Sequence, residues 1–306
     1  SLQTLGPYLQ ANQGHIPKWC QMIFLCTVSV VVLMLGWSLN GGDPAWGRLN
    51  VPGHVFTQPA IFTWVYLIPP LAMLLLTQWG APLSTSFLVL STFEFTNSSS
   101  LIKVSLLGYL IAFLIAMIIY GLGLWLVERW IFITNQSAQS VSPVWLIAQW
   151  LTTAFLWGTW LVQDLANVFI FLPRQLELLP MLMCTVLLCL GLCWLISVGG
   201  GPIQGILHTK TNASDLRSAT VIDLLFGSCL VGSALLTSFP LSTTWVFLGL
   251  LGGREGALRF HSHRSGQPFA LQDGGPWSRV IGADLSKASV ALIVSMLIAS
   301  GLQPLL

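Results

Sequence analysis

Phe239-Pro-Leu-Ser-Thr-Thr-Trp-Val-Phe-Leu-Gly249 sets a proline and three successive hydroxyls, Ser242, Thr243 and Thr244, between two apolar runs. An earlier stretch, Ala81-Pro-Leu-Ser-Thr-Ser-Phe-Leu-Val-Leu90, repeats the pattern with Ser84, Thr85 and Ser86 in the matching places. Irregular backbone inside a membrane is tolerated only where protein buries it or where it lines a wet cavity. Two such breaks therefore predict two helix ends that meet within a bilayer.

Composition supports the membrane. The chain of 306 residues is 55% hydrophobic and 7% charged, with a mean hydropathy of +0.79, whereas a soluble domain carries about 25% charged residues. Runs 19–39, 104–127, 144–165, 181–198 and 288–302 approach the roughly 20 apolar residues that cross a bilayer. The fold class is thus an all-α polytopic membrane protein. A net charge of +2, confined to a few loops, speaks against nucleic acid as a partner. All six cysteines lie in apolar runs and read as small packing groups. No nucleophile elbow, phosphate-binding loop or zinc-protease motif is present, so the chain is not read as an enzyme and no metal site is expected.

The organisation is a repeat. Gly41-Gly-Asp-Pro44 and Gly199-Gly-Gly-Pro202 stand at the same spacing as the two Pro-Leu-Ser-Thr copies. Each half then reads as a span, a Gly-Pro loop, an apolar run (61–76; 219–236), the break, a short apolar run (83–93; 241–251) and a closing span. The predicted division is a first repeat over 1–127, a cytoplasmic linker over 128–142, and a second repeat over 143–306 that includes a basic loop at 253–287. Only the second half has a complete preceding helix, 144–165, which predicts that a matching segment precedes Ser1. The paired runs around each break are expected to form two re-entrant helical hairpins, leaving three spans per half and hence inverted repeats.

Charge placement agrees. Of the 12 Lys and Arg residues, all but Arg48, Lys103 and Arg174 then fall on one side, which the positive-inside rule assigns to the cytoplasm. The expected location is the plasma (inner) membrane, multi-pass. Inverted halves with broken helices at the midplane are the usual build of a secondary transporter.

Asp164 and Asn167 end a long apolar run one helical turn apart, so both face one side; an acid in a membrane segment is by default a cation ligand or proton carrier. The duplicated hydroxyls, close to helix starts that carry free N–H groups and partial positive charge, suit an anion. Asp223 is a further intramembrane acid with no counterpart in the first half, read either as functional or as a salt-bridge partner of Arg217. His261 and His263 are read as solvated in a flexible loop, and the 14 tryptophans as an interfacial belt and packing.

The paired Pro-Leu-Ser-Thr breaks, with Asp164-Leu-Ala-Asn167 closing the helix that opens a repeat, resemble the inorganic phosphate transporter family. Its members carry Gly-Ala-Asn-Asp-Val-Ala-Asn and Pro-Val-Ser-Thr-Thr-His once in each half. Against the first signature, Asp164 and Asn167 take the Asp and final Asn places, and Gln3 takes the final Asn place in the first half. Phe87 and Trp245 replace the histidine of the second. The resemblance implies that Ser84, Thr85, Ser86, Ser242, Thr243 and Thr244, with Asn167 and Gln3, hold the anion, and that Asp164 and Asn167, joined by Asp223 from the reading above, couple the cation. The expected function is an alternating-access carrier of an inorganic anion, phosphate foremost, coupled to sodium or protons and needing no other cofactor, in the lipid bilayer and with a homodimer as the expected assembly. A carrier of another oxyanion such as sulfate, and a non-transporting scaffold or receptor-like subunit with a degenerate carrier fold, stay open as alternatives.

Overall fold

The computed structural model describes residues 16–51, 54–56, 63–78, 84–135, 142–199, 215–236, 240–265 and 277–302. These are helical apart from loops and one two-residue ladder, β1 (Asn50–Val51) with β2 (His54–Val55). The helices are α1 (Lys18–Leu39), α2 (Ile68–Gln78, entered through a 3₁₀ turn at Trp64–Leu67), α3 (Thr85–Phe93), α4 (Ser98–Ile119), α5 (Trp125–Asn135), α6 (Pro143–Asp164), α7 (Ala166–Phe169), α8 (Leu178–Ser197), α9 (Leu216–Leu236), α10 (Thr243–Ser265) and α11 (Trp277–Leu302). Five stretches are long and apolar enough to cross a membrane: Lys18–Leu39, Phe95–Thr134, Leu178–Ser197, Leu216–Leu236 and Leu285–Leu302. The chain is a multi-pass membrane protein.

The Gly-Gly-x-Pro pair marks helix ends. Gly41 (φ 61°) and Gly199 (φ 68°) both adopt the left-handed conformation that closes α1 and α8. Gly42 N–H returns to Trp37 O at 2.8 Å, so the last turn of α1 is sealed by backbone.

Several expected boundaries move. The linker 128–142 is helical as far as Asn135, because α4 runs through a π-helical turn (Tyr120–Leu124) straight into α5. The basic loop 253–287 is largely helix: α10 continues to Ser265 and α11 begins at Trp277, leaving 266–276 outside the described residues. The short run expected at 241–251 is therefore a 23-residue helix, about 34 Å long. The limb expected at 219–236 starts earlier, at Leu216, where Asp215 accepts from Arg217 N at 2.8 Å. It too is long enough to span. In contrast, α6 is as long as α1 but is not one of the five apolar stretches; buried Gln149, Thr153, Gln163 and Asp164 dilute it.

The two halves interleave rather than forming separate bodies. α1 and α8 lie side by side and antiparallel: Lys18 Nζ donates to Ser197 O at 2.8 Å, and Trp37 Nε1 to Leu176 O at 2.7 Å at the opposite end. The helix after each break packs on the closing helix of the other half, α3 on α11 and α10 on α4. α10 runs parallel to α4, with Gly249 against Tyr109 and Gly253 against Phe113. One apolar core, including Leu25, Leu33, Trp157, Leu161 and Ile196, joins α1, α6 and α8; a second, including Ala112, Ala116, Phe226, Leu230 and Leu250, joins α4, α9 and α10. Between these cores the starts of α3 and α10 converge.

Candidate functional site

The repeated serines do the same local work. Ser84 Oγ accepts from Phe87 N at 3.1 Å and Ser242 Oγ from Trp245 N at 3.4 Å, capping α3 and α10 respectively. A serine before a helix satisfies one of the first-turn N–H groups. The hydroxyl that opens each triplet is therefore used as a cap, which explains why proline and leucine precede it and a helix follows. Ser242 N in turn donates to Ser105 Oγ on α4 at 3.2 Å, fixing the second tip against the neighbouring half.

The tips meet. Ser86 Oγ donates to Leu241 O at 3.3 Å, a direct bond from the first break to the second. The end of α6 and α7 joins them: Asn167 Nδ2 donates to Ser86 Oγ at 3.1 Å, and Thr243 Oγ1 lies 3.3 and 3.2 Å from the two Asp164 carboxylate oxygens. Asp164, Asn167, Ser84, Ser86, Ser242, Thr243 and Thr244 are all buried, while Thr85 is half-buried. The sequence-predicted group thus converges, with different hydroxyls in use: the third of the first triplet and the second of the other. Gln3 lies outside the described residues.

Asp164 is withdrawn from solvent. It retains only 7% exposure, and a one-residue break at Leu165 separates its helix from the short turn that carries Asn167. Two buried oxygens here, Gln163 Oε1 and Asn167 Oδ1, have no hydrogen-bond partner among the described residues. Acceptors without donors are what a cation would complete.

Beside the tips lies a cavity of about 10 Å³ lined by Ser84, Phe87, Ile102, Ser105, Trp245 and Leu292, room for about one water molecule. Phe87 and Trp245, each following a hydroxyl triplet, form apolar walls, and Tyr109 meets Trp245 edge-on at 6.3 Å.

Arg48 was not singled out by the sequence. It sits in the turn after α1, between buried Ala45 and Leu49, and is itself buried. Burial draws its pKa down to about 10, with the Asp164 charge acting in the opposite sense. Its only signal in sequence was its isolation from the other cations. Arg174, on the same side, donates to Phe56 O at 3.0 Å, and burial lowers its pKa against the opposing pull of Asp43.

Asp223 is elsewhere. Its Oδ2 accepts from Gln149 Nε2 at 2.8 Å and Thr153 Oγ1 at 2.7 Å. Thr153 precedes Asp164 by 11 residues on α6, about 16 Å of helical rise. The salt bridge considered for it is absent: Arg217 pairs with Asp215 at 2.7 Å and its guanidinium also donates to Thr134 Oγ1. His261 is not merely solvated either; its ring stacks on Trp125 at 4.4 Å and its Nε2 lies 2.9 Å from Gly121 O, while His263 is exposed.

Among the described residues no group of His, Cys, Asp and Glu is arranged to hold a metal. Comparison with family models, with curated proteins and with solved structures finds no match.

Proposed function

We propose that the chain is an ion-coupled secondary transporter of an inorganic oxyanion, phosphate foremost, working by alternating access in the plasma (inner) membrane as a divergent member of the inorganic phosphate transporter family. The observation that carries the reading is the bond network Asn167–Ser86–Leu241 together with Thr243–Asp164: two helix starts from opposite halves close on one acid and one amide. In this reading α3 and α10 are the inner limbs of re-entrant hairpins related by inverted repeats, and the antiparallel pairing of α1 with α8 supports that relation.

Such helix starts offer N–H groups and partial positive charge to an anion. Hydroxyls hold it without the bidentate grip of an arginine, which lets it leave again. Asp164 and the orphan oxygen of Asn167 receive the coupling cation, whose charge offsets that of the carboxylate while the anion is bound. Since the cavity at the tips takes about one water, an oxyanion enters only when the tips part.

The aromatic walls of that cavity favour a second reading, a non-transporting scaffold or receptor-like subunit in which Phe87 and Trp245 have filled the former site. One experiment separates the two. Protein in liposomes is given labelled phosphate, sulfate in parallel, under imposed sodium or proton gradients, with Thr243→Ala and Asp164→Asn alongside. Gradient-dependent uptake that both substitutions abolish supports the carrier. Absence of uptake and of competition by any oxyanion selects the scaffold.

A further inference from the structure

We propose that Asp223 is a second, separate ion site whose ligand is a proton, taken up and released between α6 and α9; this rests on the carrier reading for its coupling role, though not for the binding itself. The carboxyl is completely buried, as are Gln149 and Thr153. Oδ2 accepts two hydrogen bonds, from Gln149 and Thr153, whereas Oδ1 has no hydrogen-bond partner among the described residues. No cation pairs with Asp223 among the described residues. A carboxylate buried in this way is costly unless its charge is cancelled.

The donor set says which ion does so. Gln149 turns its amide nitrogen towards both Asp223 and Thr153, and its oxygen is taken by Thr220 Oγ1 at 2.7 Å. A sodium ion would need several oxygens around Oδ1, and the amide offers none. A proton needs only the free Oδ1. The step is simple: Oδ1 forms an O–H bond with a proton delivered by water from one side, and returns it to water on the other.

Other titratable groups on the packed elements are engaged among themselves. Glu128 of α5 pairs with Arg254 of α10 at 3.0 Å and accepts from Ser218 of α9. Glu255 of α10 pairs with Arg259, and Asp215 of α9 with Arg217. Tyr120 of the π turn faces the Arg254 guanidinium, Asp164 of α6 meets Thr243, and Cys229 of α9 carries a free thiol. Asp223 stands on α9 between the Glu128–Arg254 pair and the level of Asp164, and the first repeat has no acid in the corresponding place. The proton path therefore belongs to the second half alone.

Difference infrared spectroscopy of the full chain in lipid tests this through the carbonyl band of a protonated carboxyl. The expected result is a band that comes and goes reversibly with pH, disappears in Asp223→Asn and survives in Asp164→Asn. A band indifferent to Asp223→Asn, or one that responds to sodium at fixed pH, overturns the proposal. If Asp223→Asn does not fold, Thr153→Val serves instead: loss of one donor to Oδ2 must shift the band frequency, and an unmoved band overturns the assignment. In liposomes, Asp223→Asn should lose proton-driven phosphate accumulation but keep phosphate exchange; unchanged proton-driven accumulation overturns the coupling role. Should wild-type protein carry no oxyanion, the transport reading fails, and the infrared band still decides whether Asp223 exchanges a proton.

Discussion

Replacing Gly249 or Gly253 by alanine probes the closest helix contact in the molecule's second core. A methyl carbon at Gly249 would overlap the Tyr109 carbonyl oxygen and lie 3.0 Å from its carbonyl carbon; one at Gly253 would overlap the Phe113 carbonyl oxygen and lie 2.9 Å from Ala116 Cβ. The obstacles are mainly backbone, which cannot swing aside. α10 and α4 must then part by about 1 Å, and a gap of that size forfeits a quarter to a half of each van der Waals contact along the seam. The expected cost is about 1–3 kcal/mol for either substitution, and less than the sum for both, because the helices need to separate only once. Gly191→Ala and Gly232→Ala are the controls. Both lie within helices with nothing near the added carbon, so alanine should be neutral or stabilising by up to about 1 kcal/mol. The assay is the temperature at which detergent-purified protein loses its monodisperse peak. Gly249→Ala melting with Gly191→Ala, rather than well below it, would refute the parallel α4–α10 packing.

The Arg254–Glu128 pair, 3% and 7% exposed, should be costly to break from one side: Glu128→Gln or Arg254→Met is expected to lose about 3–5 kcal/mol, seen as collapse of folded yield. The double substitution Glu128→Gln/Arg254→Met should recover part of the loss, and a double variant no better than the singles would argue against a mutual pair. Ser84→Ala and Ser242→Ala each remove a helix cap and should lower stability by about 1 kcal/mol in the same melting assay; no loss at either position would contradict the capping geometry. Restoration by Asp at either position would confirm the cap rather than the hydroxyl as the stabilising feature.

Much of the architecture was legible because its markers are local. The left-handed glycines at 41 and 199 and the capping serines at 84 and 242 are fixed by backbone chemistry, so short sequence patterns mark them. Asp164 and Asn167 were readable because a carboxyl and an amide at the end of an apolar run stand out by contrast. The extent of α10 was not. Gly249, Gly252, Gly253, Arg254 and Glu255 have the composition of a loop, yet the glycines at 249 and 253 give α4 its close approach, Arg254 is paired across helices with Glu128, and Glu255 is paired with Arg259 one turn on in α10. Hydropathy sees neither a helix–helix contact nor an ion pair formed over long sequence separation. Arg48 was hidden for the same reason, since its relation to Asp164 exists only after α1 and α6 have packed.

The two tips are held by different contacts, and under the proposed carrier reading this bears on which of them would yield. α10 is 23 residues long, wedged on α4 through two glycines and tied at its far end by Arg254–Glu128 and by His261 to Gly121 O. α3 has nine residues, and the bonds that hold its start are its own cap, Asn167 to Ser86 and the 3.3 Å bond from Ser86 to Leu241 O. Its apolar contacts run through Leu88 to Ala291 and Leu76 and through Phe87, Val89 and Leu90 into the first core. Parting the tips by moving α10 would break a buried ion pair and a backbone-to-backbone seam. Displacing α3 together with α11 breaks the Ser86–Leu241 and Asn167–Ser86 bonds and leaves Asp164–Thr243 intact. Elements that move are drawn from the less stable part of a fold, so under the proposed carrier reading the first tip is the one expected to open while the second stays with the acid.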